Sequence, residues 1–106
     1  MKPFEKLYLV MYDITHKKSL QKIAKVLQKE GFVRINYSVW LGWESPISNR
    51  QLNQKITHLL GVAKARGSRL YILPLTLNLV KKIKTSNGAK PKDLDYWVGE
   101  KQLLII

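Results

Sequence analysis

A run of six apolar and aromatic residues at positions 7–12 is the feature that most constrains the fold of this chain. Because nearly every side chain in the run is apolar, it is typical of a strand that is buried on both faces at the centre of a sheet. Asp13 ends the run, and it is the only acidic residue between Glu5 and Glu30. The pattern therefore predicts a central strand that carries a lone carboxylate to one end of the sheet.

Two amphipathic helices are expected from apolar residues that recur at helical spacing. The first contains the apolar positions of residues 20–27, with Thr15 as its N-cap and Gly31 as its C-terminal stop. The second runs from about 48 to 66, begins with a capping-box sequence that starts at Ser48, and stops at Gly67.

Further strands are predicted from the β-forming residues at 32–43 and 69–76. The long segment 32–43 must supply two strands, and a sharp bend around 41–44 would divide it. Pro74 indicates that the last strand lies at an edge of the sheet or contains a bulge, and residues 79–84 could extend or pair with that strand. The element order predicts an α+β, ferredoxin-like βαββαβ sandwich, in which two helices cover one face of a single sheet.

The domain organisation follows from the length of 106 residues, which suits one domain and is small enough for a second copy to share burial with it. We expect a ferredoxin-like domain over residues 1–84 and a C-terminal loop and additional strand over residues 85–106. The apolar run at 103–106 has no apparent partner nearby in the sequence, and we expect this region to pack on the partner of a homodimer.

The charge balance indicates a polyanionic partner. Nineteen Lys and Arg residues stand against seven Asp and Glu, which gives a net charge of +12 and a pI near 10.1. Nucleic acid is the first candidate, since no apolar run approaches the roughly 18 residues of a membrane-spanning helix. No signal peptide is recognised, and a cytoplasmic location is expected. The absence of cysteine excludes a thiol nucleophile and thiolate metal ligands.

Asp13 is the candidate catalytic and metal-binding residue, and it also has a purely structural interpretation. An Asp between a strand and a helix can cap the helix by accepting backbone N–H groups. One carboxylate is also too few ligands for Mg²⁺, so two copies of Asp13 across a dimer axis, together with substrate phosphate, would be needed. His16 is close enough in sequence to exchange a proton near Asp13, although a lone His at a helix start more often caps or faces solvent.

Several cations and polar residues are candidates for nucleic-acid binding. One face of the strand at 34–40 carries a cation, an amide, a hydroxyl and an aromatic ring, from Arg34, Asn36, Ser38 and Trp40. This set suits phosphate contact and base stacking, but a solvated sheet face explains the same residues equally well. Lysines on the first helix, and a lysine group after residue 80, are interpreted as phosphate contacts or as solvated surface. The candidate nucleic-acid-binding residues are Lys18, Lys22, Lys25, Arg34, Ser38, Lys81, Lys82 and Lys84.

Four sequence segments, taken in order, resemble the CRISPR-associated Cas2 family of small adaptation proteins. They are VMYDI at 10–14, LQKEGF at 27–32, RINYSVW at 34–40 and LYILPL at 70–75. The resemblance implies a ferredoxin-like fold and a symmetric homodimer that binds duplex DNA beside the integrase subunit during spacer acquisition. It also implies a metal-dependent endonuclease activity on RNA or DNA that uses Mg²⁺ or Mn²⁺, with Asp13 and Ser38 at the family's positions. The run at 103–106 is similar to the family's last strand, which reaches across to the partner subunit.

Two other functions remain open from the sequence. An endoribonuclease toxin of the virulence-associated D type would share the fold and the dimer but act on messenger RNA. A non-catalytic RNA-binding module is suggested by the segment GFVRINY at 31–37, which is faintly similar to the aromatic strand motif of RNA-recognition domains. The position of that segment directly after the first helix argues against this module.

Overall fold

The computed structural model of the chain describes residues 5–99. Its four strands form one sheet in the order β2-β3-β1-β4, in which all neighbouring strands are antiparallel. This is the predicted ferredoxin-like arrangement. The elements are β1 (Lys6–Asp13), α1 (Lys17–Lys29), β2 (Val33–Asn36), β3 (Val39–Gly42), α2 (Arg50–Gly61), a 3-10 turn (Ala63–Ala65), β4 (Arg69–Thr76), α3 (Leu77–Val80) and α4 (Leu94–Trp97).

The central position of β1 confirms what its apolar run predicts. Met11 pairs with Val39 of β3 on one side and with Tyr71 of β4 on the other. β4 lies at an edge of the sheet, where Pro74 is tolerated because one side of an edge strand needs no ladder hydrogen bonds.

The two faces of the sheet are covered by different parts of the chain. Helices α1 and α2 pack on the face that carries Val10, Tyr12 and Trp40, and their apolar residues complete the first core. On the opposite face, α3, α4 and their flanking residues pack against Leu7 and Leu41 to form a second, smaller core. The C-terminal segment thus covers one end of the face that the two long helices leave open.

Both long helices begin one residue later than the sequence suggests. His16, rather than Thr15, is the N-cap of α1 and accepts a hydrogen bond from the backbone N–H of Ser19. Asn49, rather than Ser48, caps α2 through its Oδ1 atom, which accepts from the N–H of Leu52 at 3.1 Å. The helix α2 ends at Gly61, since the next residue has extended backbone angles, and not at residue 66.

The hairpin between β2 and β3 turns at Tyr37 and Ser38, so the expected bend around 41–44 is wrong. Ser38 has a φ of 60°, and its carbonyl oxygen accepts a hydrogen bond from the Tyr12 N–H at 3.1 Å. A bulge lies between Arg34 and Asn36, because Arg34 pairs with Trp40 while Asn36 pairs with Val39. Arg34 and Trp40 are direct register partners on the near side of the bulge, so they share the helix-covered face of the sheet.

The segment after β4 is helical and does not pair with that strand. Thr76 caps α3, and its Oγ1 atom accepts from the N–H of Leu79 at 3.2 Å. Farther on, Leu94 and Val98 are buried in the second core, so the described part of residues 85–106 packs on the sheet of its own chain. The predicted strand at 103–106 lies outside the described residues.

Candidate nucleic-acid interface

Asp13 is the last residue of β1, and its side chain is exposed at the end of the sheet. Side chains alternate along a strand, so Asp13 lies on the face of Leu9 and Met11, opposite the two long helices. Its register partner on β4 is Arg69. The capping interpretation of Asp13 is wrong, because His16 caps α1.

The metal-binding capacity of a single chain is small. Within residues 5–99, no group of three or more His, Asp or Glu residues could hold a metal ion. Mg²⁺ requires about six oxygen ligands and is normally held by one or two carboxylates with water and phosphate. One exposed Asp13 does not fit such an ion alone, so a metal site built on the described residues would need further ligands, such as a second copy of Asp13 or a substrate phosphate.

The sheet face around Asp13 carries an exposed apolar surface. Along β4, Leu75 is partly buried by the C-terminal segment, Leu73 is 45% exposed and Tyr71 is 54% exposed. These residues pair with Leu7, Leu9 and Met11 of β1 and lie on the same face as they do. We call the half of this face that contains Leu9, Met11, Leu73 and Tyr71 the open sheet face. Contiguous exposed apolar surface of this kind is typical of an interface between proteins.

The predicted lysines of α1 lie together with two cations of α2 that the sequence did not single out. Lys18, Lys22 and Lys25 are exposed on α1. Lys22 and Lys25 line a groove of about 310 Å³ between the two helices, whose wall on α2 carries Lys55 and His58. Their three-residue separation places both on one face of α2, but only the packing of α1 against α2 brings them beside the α1 lysines. We name Lys18, Lys22, Lys25, Lys55 and His58 the helix ridge.

The remaining predicted lysines lie elsewhere on the molecule. Lys81, Lys82 and Lys84 are exposed directly after α3, which packs on the sheet face opposite to α1 and α2. The predicted nucleic-acid-binding set therefore divides between two surfaces. We name these three residues the C-terminal lysine cluster.

Arg34 lies on the helix-covered side of the hairpin, where aromatic rings hold its guanidinium. The guanidinium carbon is 5.4 Å from the centre of the Tyr37 ring and 5.7 Å from that of Trp40. Trp40 is only 4% exposed and donates a hydrogen bond to the Tyr12 hydroxyl at 2.9 Å, so the prediction that it stacks on bases is wrong. Tyr37, which is 67% exposed, is instead the accessible aromatic residue, and Ser38 stands beside it in the turn.

The hydrogen bond between Trp40 and Tyr12 is part of the core beneath this region. Burial raises the pKa of the Tyr12 hydroxyl above its ordinary value of 10.0, while the hydrogen bond from Trp40 acts in the opposite direction.

Phe32, the aromatic residue of the segment similar to RNA-recognition domains, is 4% exposed and packs in the same core. It has no face free for a base, which removes the basis for the RNA-binding-module alternative.

The strand order of the sheet, together with the two long helices that cover one of its faces, places the chain among the ferredoxin-like α+β proteins. A family model described as CRISPR associated protein Cas2 matches residues 6–83. This match spans well over half of the chain, and the chain belongs to the Cas2 family. No match was found among the curated proteins.

Two solved structures have the same fold. The crystal structure of Streptococcus pyogenes Cas2 at pH 6.5 is similar with a TM-score of 0.59 and 20% identity, over 74% of this chain and 96% of that one. A chain of the partial Cas6-RT-Cas1–Cas2 complex is similar with a TM-score of 0.67 and 22% identity, over 95% of this chain and 98% of that one. The second likeness extends beyond the residues that the family model matches. Within residues 5–99, no helix is long and apolar enough to cross a membrane.

Proposed function

We propose that this protein acts in CRISPR adaptation as a homodimer that binds duplex DNA together with the integrase subunit during spacer acquisition. Membership of the Cas2 family is the observation that carries this proposal. The fold shared with a chain of a complex that contains Cas1 supports the integrase as partner. The family match also favours this function over an endoribonuclease toxin of the virulence-associated D type.

The homodimer forms through the open sheet face. Leu73 and Tyr71 are exposed there, and packing two such sheets face to face buries the apolar side chains of both. The C-terminal segment covers the end of the sheet face that carries Leu7 and Leu41, so within residues 5–99 only the end that carries Asp13 is free for a twofold contact. This geometry would bring two Asp13 carboxylates near one axis.

A charged substitution on this face tests the dimer. Leu73→Lys should convert a species of twice the 12.3 kDa chain mass into one of single mass, as measured by sedimentation equilibrium. Ile47→Lys is the matched control, because Ile47 is also exposed, at 67%, but lies outside the sheet. A dimer that survives Leu73→Lys and dissociates with Ile47→Lys would place the interface elsewhere.

Duplex DNA is bound by cations, and the helix ridge is the main contact. Four of its five side chains line one groove, and the net charge of +12 favours approach of DNA to any surface. Each phosphate contact contributes about −0.9 to the slope of log K against log salt concentration. The variant K18Q/K22Q/K25Q should therefore bind more weakly and reduce the slope by about 2–3.

The C-terminal lysine cluster provides a charge-matched control for that experiment. K81Q/K82Q/K84Q removes the same three charges from the opposite surface, so both variants carry the same net charge. If the two variants weaken duplex binding equally, the chain acts through its global charge and the helix ridge is not a site. A wild-type slope of only one or two would also contradict a large phosphate footprint.

The second candidate function is phosphodiester hydrolysis at the paired Asp13 residues, which the exposure of this carboxylate on the open sheet face favours. In the dimer, two carboxylates together with substrate phosphate would hold Mg²⁺ or Mn²⁺. The ion would supply charge neutralisation at the phosphate and an activated water. The side chain of Asp13 would orient that ion, and Arg69 beside it would contact the substrate phosphate.

Asp13→Asn separates cleavage from binding. It should abolish metal-dependent cleavage of DNA or RNA while leaving the salt dependence of duplex binding unchanged. Asp93→Asn, which changes another exposed carboxylate remote in sequence from the sheet end, is the control. Cleavage that survives Asp13→Asn unaltered would remove Asp13 from the chemistry, and the adaptation role would stand without it.

A further inference from the structure

A second cavity lies between α1 and the β2–β3 hairpin, on the side of the sheet opposite to the open sheet face. Its volume is about 480 Å³, within the range of roughly 300–1,000 Å³ that is typical of small-molecule sites. Its lining includes Thr15, Lys17, Gln21, Arg34 and Tyr37. We call it the Tyr37 pocket. It belongs neither to the helix ridge nor to the surface around Asp13.

The hairpin holds an exposed aromatic ring at the mouth of this pocket. Tyr37 is 67% exposed, and the Arg34 guanidinium lies against its ring. The turn is fixed on both sides, because Asn36 Oδ1 accepts from the Tyr37 N–H at 2.8 Å and the Ser38 carbonyl accepts from the Tyr12 N–H. An ordered tyrosine ring beside a guanidinium plane is the combination on which unpaired bases stack.

The charge of the pocket favours an anionic ligand. Lys17 and Arg34 are its cationic residues, and no acidic residue is in its lining. Thr15 adds a hydroxyl, and Gln21 adds an amide that can both donate to and accept from a base edge. The aromatic ring and the groups that donate and accept hydrogen bonds suit the base of a nucleotide, and the two cations suit its phosphate.

Two further cavities lack this combination of an aromatic ring, two cations and polar groups. The groove of the helix ridge is floored by Val26 and Leu59 and has no aromatic residue in its lining. The cavity beside Tyr96 has Arg34 as its one cationic lining residue. Compared with these two cavities, the Tyr37 pocket is the one that joins an exposed aromatic ring to two cations.

We propose that the Tyr37 pocket binds a single unpaired nucleotide, with its base stacked on Tyr37 and Arg34 and its phosphate at Lys17. A free nucleotide and the unpaired end of a DNA strand present the same chemistry to the pocket. The site goes beyond duplex binding, since a duplex offers no exposed base face, and it does not depend on the helix ridge.

The test measures the affinity and fluorescence of three probes. They are a blunt DNA duplex, the same duplex with a one-nucleotide 2-aminopurine overhang, and adenosine monophosphate alone. Because Tyr37→Ala removes the ring on which the base stacks, it should weaken binding of the overhang duplex by roughly 5- to 150-fold. It should also remove the quenching of 2-aminopurine fluorescence that stacking causes. Tyr37→Phe keeps the ring and should retain both. Because Tyr37 is largely exposed, the melting temperature should change little.

The outcomes distinguish the pocket from the proposed DNA binding. If Tyr37→Ala weakens the blunt and the overhang duplex equally, or weakens neither, and adenosine monophosphate binding does not depend on Tyr37, the nucleotide pocket is refuted. If adenosine monophosphate binds and Tyr37→Ala abolishes its binding, the pocket stands and accepts the free nucleotide. Binding of the mononucleotide without any binding of the blunt duplex would support the pocket while the proposed duplex function fails. Lys17→Gln should weaken the probes that occupy the pocket, whereas Lys29→Gln, at the far end of α1, should not.

Discussion

Substitution of Gly42 by Ala should destabilise the protein, although the replacement of Gly by Ala usually stabilises a protein by reducing the entropy of the unfolded chain. Gly42 ends β3 and is buried beside the first core. A Cβ atom placed there would lie 2.5 Å from Cδ2, 2.6 Å from Cγ and 2.7 Å from Cε2 of the Phe32 ring. Ordinary carbon contacts are about 3.5–4.0 Å, so the ring must retreat by about 1 Å.

The loss of stability expected for Gly42→Ala follows from the burial of Phe32. The ring is 4% exposed and packs in the core, so it cannot move into solvent. Overpacking of this kind costs about 1–3 kcal/mol, and the reduced entropy of the unfolded chain returns about 0.4–1 kcal/mol. We expect Gly42→Ala to lower the free energy of unfolding by about 1–2 kcal/mol, which corresponds to a fall in Tm of about 5–10 °C.

Two further variants make the test specific. Gly61→Ala is the control, because a Cβ atom at this last residue of α2 meets nothing within 4 Å, and it should raise Tm. Phe32→Leu shortens the obstructing side chain, so Gly42→Ala should cost less in that background than in the wild type. Calorimetry of the four Gly42 and Phe32 combinations gives this coupling. A Tm for Gly42→Ala that rises as it does for Gly61→Ala would refute the steric argument.

Two other predictions concern a buried hydrogen bond and a helix cap. Tyr12→Phe leaves the Trp40 N–H without its acceptor and should cost about 1–3 kcal/mol near neutral pH. Since the folded pKa of Tyr12 is raised, mainly by burial, the stability that this tyrosine provides is complete below pH 10 and is lost as the pH rises through the raised pKa. The difference between wild type and Tyr12→Phe in urea unfolding should therefore narrow above pH 10, and a constant difference would contradict it. Asn49→Ala should cost about 1 kcal/mol through loss of the bond to the Leu52 N–H, whereas Ser48→Ala should cost much less; the reverse order of Tm values would contradict the assigned cap.

The apolar pattern predicts most of the fold because burial follows directly from it. The run at 7–12 identifies the central strand, and Pro74 identifies an edge strand, since in both cases the residue type limits the neighbours that the strand can have. The helix bounds are less well predicted. His16 and Asn49 each compete with an adjacent hydroxyl residue for the cap, and the tertiary approach of the chain decides between them.

The hairpin shows why the candidate site was only partly predictable. Strict alternation over 32–43 places Arg34 and Trp40 on one face, and the structure agrees, but the same alternation takes Trp40 for an exposed stacking residue. The bulge beside Arg34 and the positive φ of Ser38 have no signature in the sequence, and together they make Tyr37 the accessible ring. Likewise, Lys55 joins the helix ridge only through the packing of α2 against α1.

The two sides of the sheet separate chemical groups that the sequence places close together. Asp13 lies on the open sheet face, while Arg34 pairs with Trp40 and lies on the helix-covered side. The side chains of Asp13 and Arg34 therefore leave the sheet on opposite faces. Arg69 is a cation on the same face as Asp13, because it is the register partner of Asp13 and its side chain lies on the same side of the sheet. The proposed nucleic-acid binding at the helix ridge and the proposed reaction at Asp13 are thus assigned to opposite surfaces, and we expect a substitution on one surface to leave the function of the other unchanged.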